Sequence, residues 1–324
     1  MKSFSHTNVK TITEAAKLLS VYKSNAKLIA GGIDLLGILK DKILPTSPKL
    51  IINIKTISGL DHVEEDGKGL RIGAGAKLTD IARSAKIREG YRVLAEAAES
   101  IATPQIRNMA TIGGNLCQEV RCWYYRYPHQ VGGGRILCLR KGSGPCWAVR
   151  GDNRYHAILE GKRCFAVCPS DMAVALTALD AKIKVVRLEN VRTVLVKDFF
   201  ETLRNVLGPD EIVTEIQVPR PPERAKQTFL KFRLRKSVDF AIASVGSMIT
   251  VEEGACKDAR IILGAVAPTP VRSKEAENTI KGKAIEETTA DEAAEAAMTG
   301  AKPLSMNAYK IEITKTLIKR AILR

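Results

Sequence analysis

Ile12, Ala15, Ala16 and Leu19 recur at the spacing that lines up one face of a helix, and Thr11 followed by Glu14 forms a capping box at its start. The apolar stretch Lys27 to Ala30 predicts a strand that runs into Gly31 and Gly32, after which Ile33, Leu36 and Leu39 again keep helical spacing. A strand, a tight glycine turn and a helical start in that order present bare backbone N–H groups to an anion. Lys49 to Ile57 predicts another strand, and "GLRIGAGAKLTDIARSAKI" a strand, a glycine turn and a helix capped near Thr79. Helical spacing returns from Leu94 to Ile101, and beyond Pro104 a second Gly-Gly turn follows at Gly113 and Gly114. "FAVCPSDMAVALTALDAKIKVV" reads as a short strand, a Ser170 cap with Asp171 in the first turn, a helix through Leu179, and a strand. The proline-rich stretch Val218 to Lys226 is the best linker. Beyond it the text to Ser273 alternates like antiparallel strands, and Ala-rich helices close the chain.

The length of 324 residues allows two or three domains, and 45% apolar with 27% charged residues excludes disorder as the dominant state. The opening "MKSFSHTNVKTITEAAKLLS" has no apolar core of signal-peptide length, and no apolar run approaches the ~20 residues that span a bilayer. A cytoplasmic protein without membrane contact is therefore expected. The charge of +16 is spread along the whole chain, which argues against nucleic acid and for a surface facing solvent or acidic partner subunits.

Seven cysteines is an odd number, and six of them lie between Cys117 and Cys168. In a reducing compartment this points to metal ligation over disulfides. Cys256, in "EEGACKDAR", stands apart and is expected to fill space at a turn. There is no GxGxxG, since "GAGAKL" fails at its last position, and no Walker A sequence. His6, His62, His129 and His156 are scattered without HExxH pairing, and the plant-type ferredoxin spacing is absent.

"IAGGIDLL", "QIRNMATIGGNL", "CPSDMAVALTALDA", "EIVTEIQVP" and "RLRKSVDFAIASVG" occur in this order across nearly the whole chain. Together they resemble the FAD-binding subunit of the xanthine oxidase family of molybdenum hydroxylases. The resemblance implies an α+β chain with a two-subdomain FAD-binding (PCMH-type) fold, an inserted [4Fe-4S] loop and a C-terminal α+β domain. The implied divisions are residues 1–57, residues 58–219 with the cluster loop at 118–164, and residues 222–324. It places the FAD pyrophosphate on Ile29, Ala30, Gly31, Gly32, Ile33, Asp34, Leu35 and Leu36. Ile101, Thr111, Gly114 and Asn115 belong to the second turn, and Asp171, Val213 and Lys231 to the flavin ring system. One departure is that the family often has Thr where Ile33 stands, so a hydroxyl donor is lost.

Family members usually pass quickly from the second turn to the "PSD" helix, whereas here the interval from Gln118 to Arg163 is long. Arg121 to Cys164 holds four cysteines, both tryptophans and four of the seven tyrosines. This stretch resembles the [4Fe-4S] loop of the 4-hydroxybenzoyl-CoA reductase beta subunit around "RCWYY", "LCLRK", "PCWAV" and "RCFAV", which implies Cys122, Cys138, Cys146 and Cys164 as ligands. Cys117 and Cys168 are left out, with a swap of one of them into the set still open. Trp123, Tyr124, Tyr125, Tyr127, Trp147 and Tyr155 would form a small apolar core, and Arg121, Arg126, Arg135, Arg140 and Lys141 would offset cluster charge. The implied function is electron transfer through FAD and a [4Fe-4S] cluster within a heterotrimeric complex. Its partners would be a molybdopterin large subunit, a [2Fe-2S] small subunit and an external carrier such as ferredoxin. Reductive dehydroxylation of an aromatic acyl-CoA on the partner is the leading chemistry, and an aromatic or N-heterocycle hydroxylase the alternative. From another class comes a basic interaction module whose cysteines hold zinc.

Overall fold

The computed structural model describes residues 1–128 and 136–324, so Arg135 and His129 lie outside the described residues. Strands β1 (Ser5–Asn8), β2 (Ala26–Ile29) and β3 (Leu50–Asn53) form a parallel sheet in the order β1-β3-β2. A parallel pair needs a crossover, which the Ile12–Tyr22 helix supplies between β1 and β2. Thr11 Oγ1 accepts from Glu14 N–H, Glu14 Oε2 accepts from Lys10 N–H, and Ala15, Ala16 and Leu19 are buried against the sheet. The first glycine turn leaves the carboxyl end of β2, the sheet edge where open α/β layers bind ligands.

Strands β4 (Val63–Asp66), β5 (Gly69–Gly73), β6 (Lys182–Arg187), β7 (Asn190–Leu195) and β8 (Ile212–Pro219) make an antiparallel sheet ordered β4-β5-β8-β6-β7. The chain leaves this sheet after β5 and returns only at β6; the second glycine turn and the cysteine-rich stretch lie in that interval. The helix expected to be capped at Thr79 runs Leu78–Arg83 from Lys77, because the Thr79 hydroxyl donates sideways to Asn108 Oδ1 instead.

A third sheet joins β9 (Ala225–Phe232), β10 (Ala243–Glu252), β11 (Ala255–Gly264) and β12 (Val271–Arg272) in antiparallel hairpins. The helices Lys274–Ile280, Glu287–Met298 and Tyr309–Leu323 cover one face of it through Ala276, Ala290, Ala293, Ala294 and Leu317. Cys256 is buried on β11 in this core. The Asp171–Ala178 helix is buried all round, as a helix of uniform apolarity must be, and packs on β10, β11 and the Arg92–Ser100 helix. Gly246 and Gly264 bring the sheet up to Val174 of this helix. Among the described residues no helix is long and apolar enough to cross a membrane.

Phe165 to Cys168 does not form the expected strand. Its main chain pairs singly, Phe165 C=O with Ala157 N–H and Cys168 N–H with Ala267 C=O. The stretch before it has little regular structure and is clamped by the last helix and the turn before it. Asn307 Nδ2 donates to the carbonyls of His156 and Ala157, Met306 N–H to Asn153 Oδ1, and the fully buried Lys310 ammonium to His156 C=O (3.0 Å) and Ala265 C=O (2.6 Å).

Candidate functional site

A cleft of about 640 Å³ opens between the first two sheets and β9, within the roughly 300–1,000 Å³ of small-molecule sites. Ile29, Ala30, Gly31, Gly32, Ile33, Asp34 and Leu35 line it, as do Ile101, Thr111, Gly114, Asn115, Asp171, Val213 and Lys231. Leu36 does not, and points to solvent at 40% exposure.

The two glycine turns touch. A Cβ on Gly31 would lie 2.0 Å from the Met109 carbonyl oxygen, so only glycine lets the first turn reach the strand of chain leading into the second. Gly32 has φ +74°, in the left-handed region that glycine adopts without strain. Among the described residues the N–H groups of Gly31 to Leu35 have no acceptor within the chain, which leaves them available to an anion in the cleft.

The second turn differs from the sequence reading. It is a short helix, Ile112–Leu116, whose donors are already occupied: Gly113 N–H by Ala74 C=O, Gly114 N–H by Thr111 Oγ1, Asn115 N–H by Thr111 C=O. It therefore offers shape and side chains rather than a backbone cradle. Asn115 Oδ1 accepts from Ser170 Oγ (2.6 Å), which in turn caps the next helix at Ala173 N–H. That cap fixes Asp171, whose carboxylate meets Lys231 Nζ at 2.7 Å with both side chains buried. Val213 reaches the cleft because β8 carries one extra residue, Thr214, opposite β6.

Asp34 is a second departure. Its carboxylate accepts from Arg126 (2.6 Å), Arg121 (2.9 Å) and Glu119 N–H (2.8 Å), so it ties the first turn to the cysteine-rich stretch. Burial pulls the Arg121 guanidinium down to about 10 despite that carboxylate. Sequence reasoning missed Phe240, which lines the cleft under Arg121 at 4.6 Å; it stands within the quoted "RLRKSVDFAIASVG", but nothing local marks it.

Cys122, Cys138, Cys146 and Cys164 line one small pocket of about 20 Å³ together with Tyr125, Arg140 and Arg163. Cys117 and Cys168 line the larger cleft instead. Burial pushes the Cys122 thiol up to about 11 and raises that of Cys146. His156 Nε2 lies 3.3 Å from Cys122 Sγ, and burial beside the Lys310 ammonium lowers its imidazole to about 4, so the ring is neutral at pH 7. No spacing in the sequence singles out this histidine. Of the expected aromatic core only Tyr125 is fully buried; Trp147 and Tyr155 are 48% and 38% exposed. Of the expected countercharges Arg140 lines the pocket, whereas Arg121 and Arg126 turn to Asp34 and Lys141 donates to Tyr124 C=O.

Among the described residues no three His, Cys, Asp or Glu side chains are arranged to hold a single metal ion. One tetrahedral ion draws all its sulfurs to about 2.3 Å from a common point. In a cubane each thiolate meets its own iron, so four sulfurs can line one pocket without meeting that condition.

The family described as the FAD binding domain in molybdopterin dehydrogenase matches residues 2–221, and the carbon monoxide dehydrogenase flavoprotein C-terminal domain matches residues 228–324. The chain belongs to the FAD-binding medium subunits of xanthine oxidase-family molybdenum hydroxylases. This flavoprotein subunit is 36% identical over 286 residues to the aldehyde oxidoreductase FAD-binding subunit PaoB of Escherichia coli (strain K12), covering 86% of each chain. It is 28% identical to the carbon monoxide dehydrogenase medium chain of Hydrogenophaga pseudoflava, covering 97% of this chain and 93% of that one. A solved structure of carbon monoxide dehydrogenase from the same organism superposes with a TM-score of 0.79 at 26% identity, covering 99% and 96% of the two chains. These matches are to an FAD-binding subunit of oxidoreductase complexes rather than to an interaction module, the reading from another class.

Proposed function

We propose that this flavoprotein subunit is an electron relay that holds FAD in the cleft between its glycine turns and a [4Fe-4S] cluster in the cysteine pocket. The observation that supports it best is that Cys122, Cys138, Cys146 and Cys164, drawn from four separate segments, converge beside the flavin cleft. FAD supplies a carrier that accepts electrons in pairs and passes them on singly. The residues of this chain bind and orient it. The free N–H groups of Gly31 to Leu35 take the pyrophosphate, while Thr111, Gly114 and Asn115 shape the opposite wall. The Asp171–Lys231 pair and Val213 face the ring system and keep water from it. The four thiols deprotonate to hold iron, against the pull of burial on Cys122.

Similar chains are named as an FAD-binding subunit and a medium chain, which presupposes companion chains. Substrate chemistry therefore belongs to a molybdopterin large subunit, with a [2Fe-2S] small subunit in a heterotrimer and a ferredoxin-like external carrier meeting the basic surface. Similarity to chains named for aldehyde oxidoreductase and carbon monoxide dehydrogenase favours an oxidising complex from which electrons leave through this subunit. A 4-hydroxybenzoyl-CoA reductase-type complex, with electrons running inward, is the second reading. It rests on the four segments around the cysteines.

Anaerobic purification of paired variants tests the assignment. Cys138→Ser/Cys146→Ser is expected to keep flavin and lose the broad iron–sulfur absorption, and Gly32→Phe to keep the iron and lose flavin. Equal iron in the double cysteine variant and the parent would end the cluster assignment, and zinc in place of iron would make the loop a structural metal knot.

A further inference from the structure

Arg140 is the one residue, among those described, that lines both the flavin cleft and the cysteine pocket. It follows Cys138 by two positions, and its side chain is only 6% exposed. Nη1 donates to Leu203 C=O at 2.8 Å and Nη2 to Thr202 C=O at 2.7 Å, which fixes the guanidinium plane in the wall between the two cavities. Nε is buried and has no partner among the described residues. An unpaired N–H so deeply placed is costly unless an acceptor arrives with a bound group. The nearest carboxylate, Glu119 Oε2, stands 3.8 Å away and is 40% exposed, so the cation is not neutralised at contact distance.

The other cations nearby face one cavity each. Arg121 and Lys231 line only the cleft, and Arg163 only the cysteine pocket. Adding an electron to either redox group adds negative charge beside Arg140, and a fixed charge in a wall that excludes water acts on both sides with little screening.

We propose that Arg140 is a shared electrostatic positioning residue, a single buried cation that raises the reduction potentials of the flavin and the iron–sulfur cluster together and so keeps them matched. The inference rests on the cluster assignment made above. It requires only that both groups occupy their cavities, in either direction of electron flow.

The test is a spectroelectrochemical titration of the full chain, purified without oxygen and carrying both groups, that follows flavin absorption and the cluster's paramagnetic signal in the same sample. Arg140→Met is expected to shift each reduction equilibrium about tenfold toward the oxidised form, about 59 mV for the one-electron couple and about 30 mV for the two-electron couple. Arg140→Lys, which keeps the charge and loses the fork, should restore both to within about threefold of the parent. Arg163→Met should move the cluster alone. Unmoved potentials in an Arg140→Met protein that retains FAD and iron, or a shift in only one group, would overturn the proposal. If Arg140→Met loses a group, Arg140→Gln decides by the same criterion. A parent protein with flavin and no iron overturns the cluster assignment itself and is distinct from an iron-loaded protein whose potentials do not move.

Discussion

The Asp34 carboxylate and the Arg126 guanidinium meet at 2.6 Å, joining the first glycine turn to a stretch of chain 92 residues away. Arg121 completes the cluster at 2.9 Å, and all three side chains are at most 24% exposed. Asp34→Ala would leave two largely buried cations without their anion, a loss of about 3 kcal/mol. Limited proteolysis between residues 118 and 164 is expected to speed up by at least about tenfold in that variant. Unchanged cleavage would mean that the stretch is held by its C-terminal clamp alone.

Gly31→Ala and Gly37→Ala should part company, although the two glycines lie six positions apart. A Cβ at Gly31 meets the Met109 carbonyl at 2.0 Å, while one at Gly37, inside the Leu35–Lys40 helix, meets nothing within 4 Å. The first substitution is expected to cost about 1–3 kcal/mol and to strip most bound flavin. The second should gain about 0.5–1 kcal/mol and leave flavin content intact. Thermal melting and flavin absorbance per chain read both.

Asp171→Asn strands the Lys231 ammonium, whose other polar partner among the described residues is Ser100 C=O at 3.3 Å. Breaking a buried pair from one side costs about 3–5 kcal/mol, whereas removing both partners costs far less. Urea titrations of Asp171→Asn, Lys231→Met and the double variant should therefore show strong coupling. The double variant is expected to recover stability without recovering flavin. Additive losses would show that the pair is not coupled in the folded chain.

Burial lowers the Lys310 ammonium to about 7, while an unfolded lysine titrates near about 10.4. Between those values the unfolded chain holds a proton that the folded chain does not. Stability from this residue therefore rises with pH from about 7 to about 10 and stays at its lower level below pH 7. Relative to Lys310→Met, the parent should gain up to about 1.4 kcal/mol per pH unit across that window. A gap between the two that is constant from pH 7 to pH 9.5 would show that Lys310 titrates as an exposed lysine.

Local signals in the sequence were legible where the structure is built locally. The first helix is one case, because Thr11, Glu14 and the apolar period act within a few residues of each other. The Ser170 cap and the buried helix after it are another. Misreadings arose where partners come from far along the chain. Nothing near Gly113 reveals that Ala74 C=O occupies its donor, since that contact is made by tertiary packing, whereas the Thr111 cap on Gly114 is local. The charges of Arg121 and Arg126 are plain in the text, yet their anion is Asp34. Phe165 to Cys168 has strand-like composition but finds only single main-chain partners, one of them at Ala267.

The cysteine pocket is the sharpest case. Its cysteine spacing is irregular, and the stretch that carries it is held from far along the chain by Asn307 and Lys310, which grip the His156 and Ala157 carbonyls from the last helix and the turn before it. His156 is set beside Cys122 by that same grip, which no local pattern could announce.

Counting FAD, iron and acid-labile sulfide in one sample of the chain prepared under strict anaerobiosis tests the central claim most directly. The account predicts about one FAD with about four iron and four sulfide per chain. A preparation saturated with FAD that contains no iron and no sulfide would contradict it.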